Sequence, residues 1–150
     1  VGKNNKDFKL YKFRSMRVNS DKQGLLTVGS KDSRITKAGY FIRKYKIDEL
    51  PQLFNVLKGD MSFVGPRPEV RRYVDLYSKE QMQVLKVAPG ITDPASIKYR
   101  NENDLLSSAN NPEEYYIQYI MPDKLKINID YINNRTFFKD IKIIFQTIFG

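Results

Sequence analysis

The apolar positions along this chain change period several times, and those changes divide it into elements. Residues 8–13 alternate, with Phe8, Leu10 and Lys12 on one side and Lys9, Tyr11 and Phe13 on the other, which predicts an aromatic-rich strand. That pattern stops at Arg14-Ser15-Met16-Arg17. Residues 19–32 are polar, with Gly24 and Gly29 among Ser, Asp and Lys, and predict a mobile loop. A helix is predicted from about Thr36 to Lys44 with Ile42 and Tyr45 turned inward. Leu50, Leu53, Phe54 and Leu57 then fall at i, i+3, i+4 and i+7, the stripe of a short helix. Asp48 serves as its N-cap in this reading, with Pro51 in the first turn, where a missing N–H costs little. Lys58 complements the other end of the dipole, and Gly59 stops the helix.

Residues 68–87 carry the most regular helical pattern, with Val70, Tyr73, Val74, Tyr77, Met82 and Leu85 on one face between charged positions. Pro89-Gly90 breaks it, and residues 91–100 read as extended or looped around Pro94. Residues 103–111 are polar loop with a short helical piece, after which Pro112 starts one helix and Pro122 another. Residues 137–149 are strongly apolar on one side with a narrow Lys stripe on the other. The pattern favours a core helix, since most amphipathic helices face protein; the alternative is a helix lying in a membrane interface. No internal repeat is visible. The elements together predict a single α+β domain, mainly helical with a small sheet.

Composition narrows the chemistry. The 150 residues suit one domain, with 41% hydrophobic and 29% charged positions as in ordinary globular chains. Lys and Arg number 26 against 17 Asp and Glu, and the net charge of +9 favours a polyanionic partner such as phosphate, nucleic acid or an anionic membrane. With no Cys and no His, disulfides, thiolates and imidazole bases are excluded from these residues. Catalysis falls to Asp, Glu, Lys, Arg, Tyr or Ser, and a metal must be a hard cation held by oxygen. No signal peptide or bilayer-spanning apolar run occurs, and Val1-Gly2-Lys3-Asn4-Asn5 reads as the middle of a longer chain.

Two features suggest a site. Asp48-Glu49 is accounted for by helix capping and dipole complementarity, or by function as a nucleophile beside a metal ligand. A carboxylate attacking phosphorus needs its target's charge neutralised, which Mg²⁺ held by the neighbouring Glu and the phosphate oxygens would supply. Arg67 lies between Pro66 and Pro68, so its position is unusually determined, and a fixed guanidinium suits bidentate phosphate binding. Lys12, Arg14, Arg34, Arg43 and Arg100 are further cations that complete a phosphate cradle or stand as solvated charges. Aromatic abundance with positive charge allows nucleic-acid stacking, but no basic helix, RNA-binding strand signature or zinc motif supports it. A non-enzymatic basic module that binds nucleic acid or an anionic membrane is the rival reading.

Three blocks go further: Lys12-Phe13-Arg14-Ser15-Met16, the run from Asp48-Glu49-Leu50-Pro51-Gln52 through Gly65-Pro66-Arg67-Pro68, and Pro89-Gly90-Ile91-Thr92. In this order they strongly resemble the bacterial sugar transferases, the monotopic phosphoglycosyl transferases that begin capsule, O-antigen, exopolysaccharide and glycoprotein-glycan assembly. The resemblance implies transfer of a sugar 1-phosphate from a UDP-sugar to polyprenyl (undecaprenyl) phosphate with release of UMP. It implies Asp48 as the nucleophile of a covalent aspartyl-phosphosugar intermediate and Glu49 as a Mg²⁺ ligand. Arg67 is implied as a diphosphate ligand, with Lys12 and Arg43 in support and Arg100 a further candidate. It implies amphipathic helices on the cytoplasmic face of the bacterial plasma membrane, no nucleic acid, and downstream glycosyltransferases as partners. Members also carry a hydrophobic helix ahead of the equivalent of Lys6 that dips into one leaflet and returns, which these residues do not include. Many continue Gly-Trp-Ala-Gln after Pro-Gly-Ile-Thr, where this chain has Asp93-Pro94-Ala95-Ser96, a difference that bears on sugar choice.

Overall fold

A computed structural model describes residues 1–29 and 32–150. Its sheet has two short parallel strands, β1 (Ser62–Val64) and β2 (Gly90–Thr92), paired Ser62 to Gly90 and Val64 to Thr92. The backbones meet closely beyond the pairing: Gly65 N–H donates to Thr92 and Gly90 N–H to Pro66, both at 3.0 Å. A Cβ on Gly90 would lie 2.2 Å from the Gly65 nitrogen, so only glycine permits this approach. Helices surround the sheet: α1 (Lys37–Lys44), α2 (Gln52–Leu57), α3 (Arg71–Val74), α4 (Pro94–Lys98), α5 (Glu102–Ser107), α6 (Pro112–Tyr115), α7 (Met121–Asn134) and α8 (Phe137–Phe149). The α+β, mainly helical architecture expected from the sequence is the one observed. No helix among the described residues is long and apolar enough to cross a membrane.

The main core joins Tyr73, Val84, Leu106, Tyr116, Ile120, Met121 and Leu125. Met121, Leu125 and Asn128 recur at i, i+4 and i+7 on α7, which packs against α4 and the 3-10 turn Gln81–Lys86. A smaller cluster of Val64, Tyr131 and Ile143 seats α8 on the sheet, assisted by a 2.6 Å hydrogen bond between Thr92 and Thr147. Pro122 lies in the first turn of α7, as expected, but α7 is not detached from the helix before it. The path runs continuously from α6 into α7 through a π turn at Tyr116–Ile120, just before the proline's missing N–H would interrupt the ladder.

Several expectations are corrected. Residues 8–13 form no strand; the buried Asn55 amide holds them instead, accepting from Tyr11 N–H at 3.0 Å and donating to the Lys9 carbonyl at 2.8 Å. The long helix over 68–87 is two short pieces, α3 and the turn Gln81–Lys86. Ser78 N–H donates to the Gln81 side chain at 2.8 Å and Gln81 N–H to Ser78 Oγ at 3.2 Å, a capping box that restarts the chain there. Residues 94–98 are helical, with Asp93 as N-cap and Pro94 at the first position. The loop expected over 19–32 is gripped by Arg34, whose guanidinium binds Asp32 and the carbonyls of Ser20, Gly24 and Leu26. Ser30 and Lys31 of that loop lie outside the described residues.

The apolar stripe of α2 is turned the other way from a core helix. Leu50, Leu53, Phe54 and Leu57 are exposed, while the polar Gln52 and Asn55 are fully buried. Tyr45, expected inward on α1, is exposed beside Tyr40 and Phe41. On α8 only Ile143 is buried, and Phe137, Phe138, Phe145, Ile148 and Phe149 are exposed, against the core placement that the pattern favoured. β1 packs on both α2 and α8 and itself exposes Phe63.

Candidate active site

Asp48 and Glu49 do not cap α2. They lie in a 3-10 turn, Ile47–Glu49, entered through Lys46 in the left-handed region, and neither this turn nor α2 has a side-chain cap. The capping account of the acidic pair is thereby removed. Asp48 is 2% exposed, and an isolated carboxylate so buried needs a partner. Lys12 supplies it, 3.2 Å from Asp48 and 3.3 Å from Glu49. The chain delivers Lys12 by clamping both neighbours: Tyr11 is held by Asn55, and Phe13 N–H donates to the Asp48 carbonyl at 3.0 Å.

Arg67 approaches from the other side. Its flanking prolines have no N–H, and its own backbone N–H donates to Asp93 at 2.8 Å. The guanidinium forms a fork onto Glu49, Nη2 to Oε1 at 2.8 Å and Nη1 to Oε2 at 2.9 Å, while Nη1 also donates to the Ile91 carbonyl. Burial alone would push the Glu49 carboxyl up, but Arg67, then Lys12 and Lys46, outweigh it and hold the pKa at about 2. Burial likewise opposes the Arg67 charge, yet Glu49, Asp93 and Asp48 together raise its pKa.

A cavity of about 250 Å³ is lined by Lys12, Arg43, Lys44, Lys46, Asp48 and Glu49, with Tyr40, Gly29, Ile35 and Asn103 completing the wall. Arg43 is aimed by hydrogen bonds to Thr27 Oγ1 at 3.1 Å and Ser15 Oγ at 3.5 Å. Thus Lys12, Arg43, Asp48 and Glu49 are brought together on one cavity, with Arg67 attached through Glu49. Arg100 is not: it donates to the Gln146 carbonyl at 2.9 Å and to the Gly150 carbonyl, closing the C-terminal end of α8. Arg34 is used by Asp32 and the loop carbonyls, and Arg14 is exposed outside the cavity wall. Sequence reasoning missed Asn55, Asp93 and Asn103. The Asp93-Pro94 pair carried the signal of an N-cap followed by a first-turn proline.

The arrangement is a small cleft in which buried Asp48 and half-buried Glu49 meet Lys12, Arg43, Lys44 and Lys46, side chains whose charge suits an anionic ligand. The chain belongs to the bacterial sugar transferase family, whose model matches residues 1–150. It is 42% identical over 99% of its length to the UDP-N-acetylgalactosamine-undecaprenyl-phosphate N-acetylgalactosaminephosphotransferase of Aeromonas hydrophila. It is 42% identical over 98% of its length to the sugar transferase EpsL of Bacillus subtilis. It is also 37% identical over 99% of its length to the UDP-glucose:undecaprenyl-phosphate glucose-1-phosphate transferase of Escherichia coli. The chain spans 33%, 64% and 30% of those relatives, respectively.

Proposed function

We propose that this domain transfers a sugar 1-phosphate from a UDP-sugar to polyprenyl phosphate at a membrane surface, in the first membrane step of a bacterial surface-glycan pathway. The observation that carries the reading is the Asp48-Glu49 pair, Asp48 buried and Glu49 half-buried, on a cavity that Lys12, Arg43, Lys44 and Lys46 also line. The names of the Aeromonas and Escherichia relatives, both undecaprenyl-phosphate sugar-phosphate transferases, support the same acceptor.

In the first step, an Asp48 oxygen attacks the phosphorus that bears the sugar. The bond from that phosphorus to the bridging oxygen breaks, UMP leaves with the bond's electrons, and Asp48 carries the phosphosugar as an ester. In the second step an oxygen of the polyprenyl phosphate attacks the same phosphorus and releases the Asp48 carboxylate. Lys12 and Arg43 bind phosphate oxygens and spread the charge that builds up during each displacement. Arg67 holds Glu49 ionised and fixes its orientation.

Mg²⁺ fits the donors present. Asp48 and Glu49 already converge on one cationic centre, the Lys12 ammonium, and both offer hard oxygen. Glu49 would hold the ion, and when bound it would offset the repulsion between the Asp48 carboxylate and the diphosphate.

The exposed apolar residues of α1, α2 and α8, together with Phe63, are the surface that seats the domain in the membrane interface on the cytoplasmic side. Lys44, Lys46, Lys58, Lys139 and Lys142, exposed and on or next to these helices in sequence, suit an anionic headgroup layer.

The test is UMP release from a panel of UDP-sugars with Mg²⁺ and polyprenyl phosphate, using membrane-borne protein beside Asp48→Asn and Glu49→Gln. Multiple-turnover release that depends on the lipid and is lost in both variants is expected. Folded protein that binds lipid and releases no UMP from any sugar would return the reading to a binding module.

A further inference from the structure

A second cavity, of about 270 Å³, lies behind Arg67, and Asn103 lines both it and the cationic cleft. Its polar wall differs in kind from the first. Glu69, Asp93 and Glu102 contribute carboxylates, and its cations are engaged: Lys124 pairs with Glu102 at 2.8 Å and Arg67 with Glu49 at 2.8 Å. A diphosphate is repelled by such a wall and belongs with Lys12 and Arg43 next door.

Asn128 gives the cavity a specific polarity. It is 5% exposed, and its Nδ2 lies 3.4 Å from the Asp93 carboxylate, an acceptor that also takes Arg67 N–H at 2.8 Å and Ser96 N–H at 2.5 Å. A carboxylate cannot donate, so it fixes the amide with nitrogen toward Asp93 and oxygen away. Asn128 Oδ1 is then a buried acceptor with no partner among the described residues, on the wall of the cavity. Such an atom is costly unless a ligand brings it a donor. Glu69 and Glu102 add carboxylates that already take protein donors, Tyr116 O–H and Val70 N–H on Glu69 and Lys124 on Glu102, but a carboxylate has about four lone-pair sites, so the wall still accepts further donors. A sugar ring with its hydroxyls matches that demand. Uracil, with one N–H against two carbonyls, does not.

The geometry points to this chamber as the subsite for the neutral, hydroxyl-rich sugar of the activated substrate, with Asn128 Oδ1 reading one of its donors. The inference rests on the transferase reading and adds to it the place where the sugar is chosen. Its key device, Asp93 orienting Asn128, arises from the Asp93-Pro94 segment in which this chain departs from the Gly-Trp-Ala-Gln pattern.

The experiment is equilibrium binding of UDP, a panel of UDP-hexoses and a panel of UDP-N-acetylhexosamines to wild type, Asn128→Ser and Glu102→Gln. Glu102 is partly exposed, so its variant decides the matter if Asn128→Ser does not fold. Both variants should weaken the preferred UDP-sugar by about tenfold, the loss of one or two hydrogen bonds, while UDP binds as before. Equal weakening of UDP and UDP-sugar would put the nucleoside in the chamber, and unchanged binding of both would leave the chamber without a ligand. Either result overturns the proposal and leaves the transferase reading standing. Wild-type protein that binds neither UDP nor any UDP-sugar would overturn both.

Discussion

The inverted polarity of α2 gives a quantitative prediction for membrane seating. Phe54 is 64% exposed and Leu57 82% exposed, on a helix whose buried residues are Gln52 and Asn55. Fully removing such side chains from water is worth about 1.5–3 kcal/mol each. Scaled by exposure, the two together contribute about 2–4 kcal/mol to seating, or roughly 30-fold to 1000-fold in partitioning. Shallow insertion into the headgroup boundary places the effect nearer the lower figure. The double variant Phe54→Ser, Leu57→Ser should therefore partition at least about 30-fold less onto anionic vesicles in a flotation assay. Its thermal stability should stay within about 0.5 kcal/mol of wild type, because exposed positions tolerate substitution. Core residues would behave oppositely, with a loss of about 3–5 kcal/mol for the phenylalanine alone. Unchanged vesicle binding, or a large loss of stability, would refute the placement of this face in the membrane.

Three further outcomes follow from the site and its frame. Glu49 ionises at about 2 in the folded chain against an ordinary 4.5, so it contributes about 3 kcal/mol of stability above pH 4.5, lost as pH falls toward 2. The stability gap between wild type and Glu49→Gln in denaturant titrations should accordingly be widest near neutrality and close over that window. Gly90→Ala drives a methyl group into the Gly65 backbone and should lower the melting temperature by about 5 °C or more in calorimetry. Arg100→Ala should leave UDP binding unchanged and speed amide exchange at residues 146–150, since its guanidinium holds the end of α8.

Local chemistry made much of the frame legible. Thr36 caps α1 through a 2.9 Å bond from Gly39 N–H, Gly59 stops α2 at φ 81°, and Pro112 opens α6, each where residue type alone places it. The acidic pair and the proline-flanked arginine were visible as candidates because their positions are set by neighbours in sequence. What escaped had other causes. Reading Leu50, Leu53, Phe54 and Leu57 as a core stripe assumes water on the outside, whereas the stripe faces away from the protein interior. The break in 68–87 was signalled by Ser78 and Gln81 but outweighed by a regular apolar period. Residues 8–13 alternate like a strand, yet their backbone bonds go to one asparagine 44 and 46 positions away, a pairing that no local pattern contains. The remote placement of Arg100 is likewise a tertiary fact: its partners are 46 and 50 residues downstream.

The most direct test is the intact mass of the protein after incubation with Mg²⁺ and its UDP-sugar in the absence of polyprenyl phosphate. The account predicts a mass increase of one sugar phosphate, absent in Asp48→Asn and discharged when polyprenyl phosphate is added. Transfer to the lipid by Asp48→Asn at the wild-type rate, or wild-type turnover with no adduct under any quench, would contradict it.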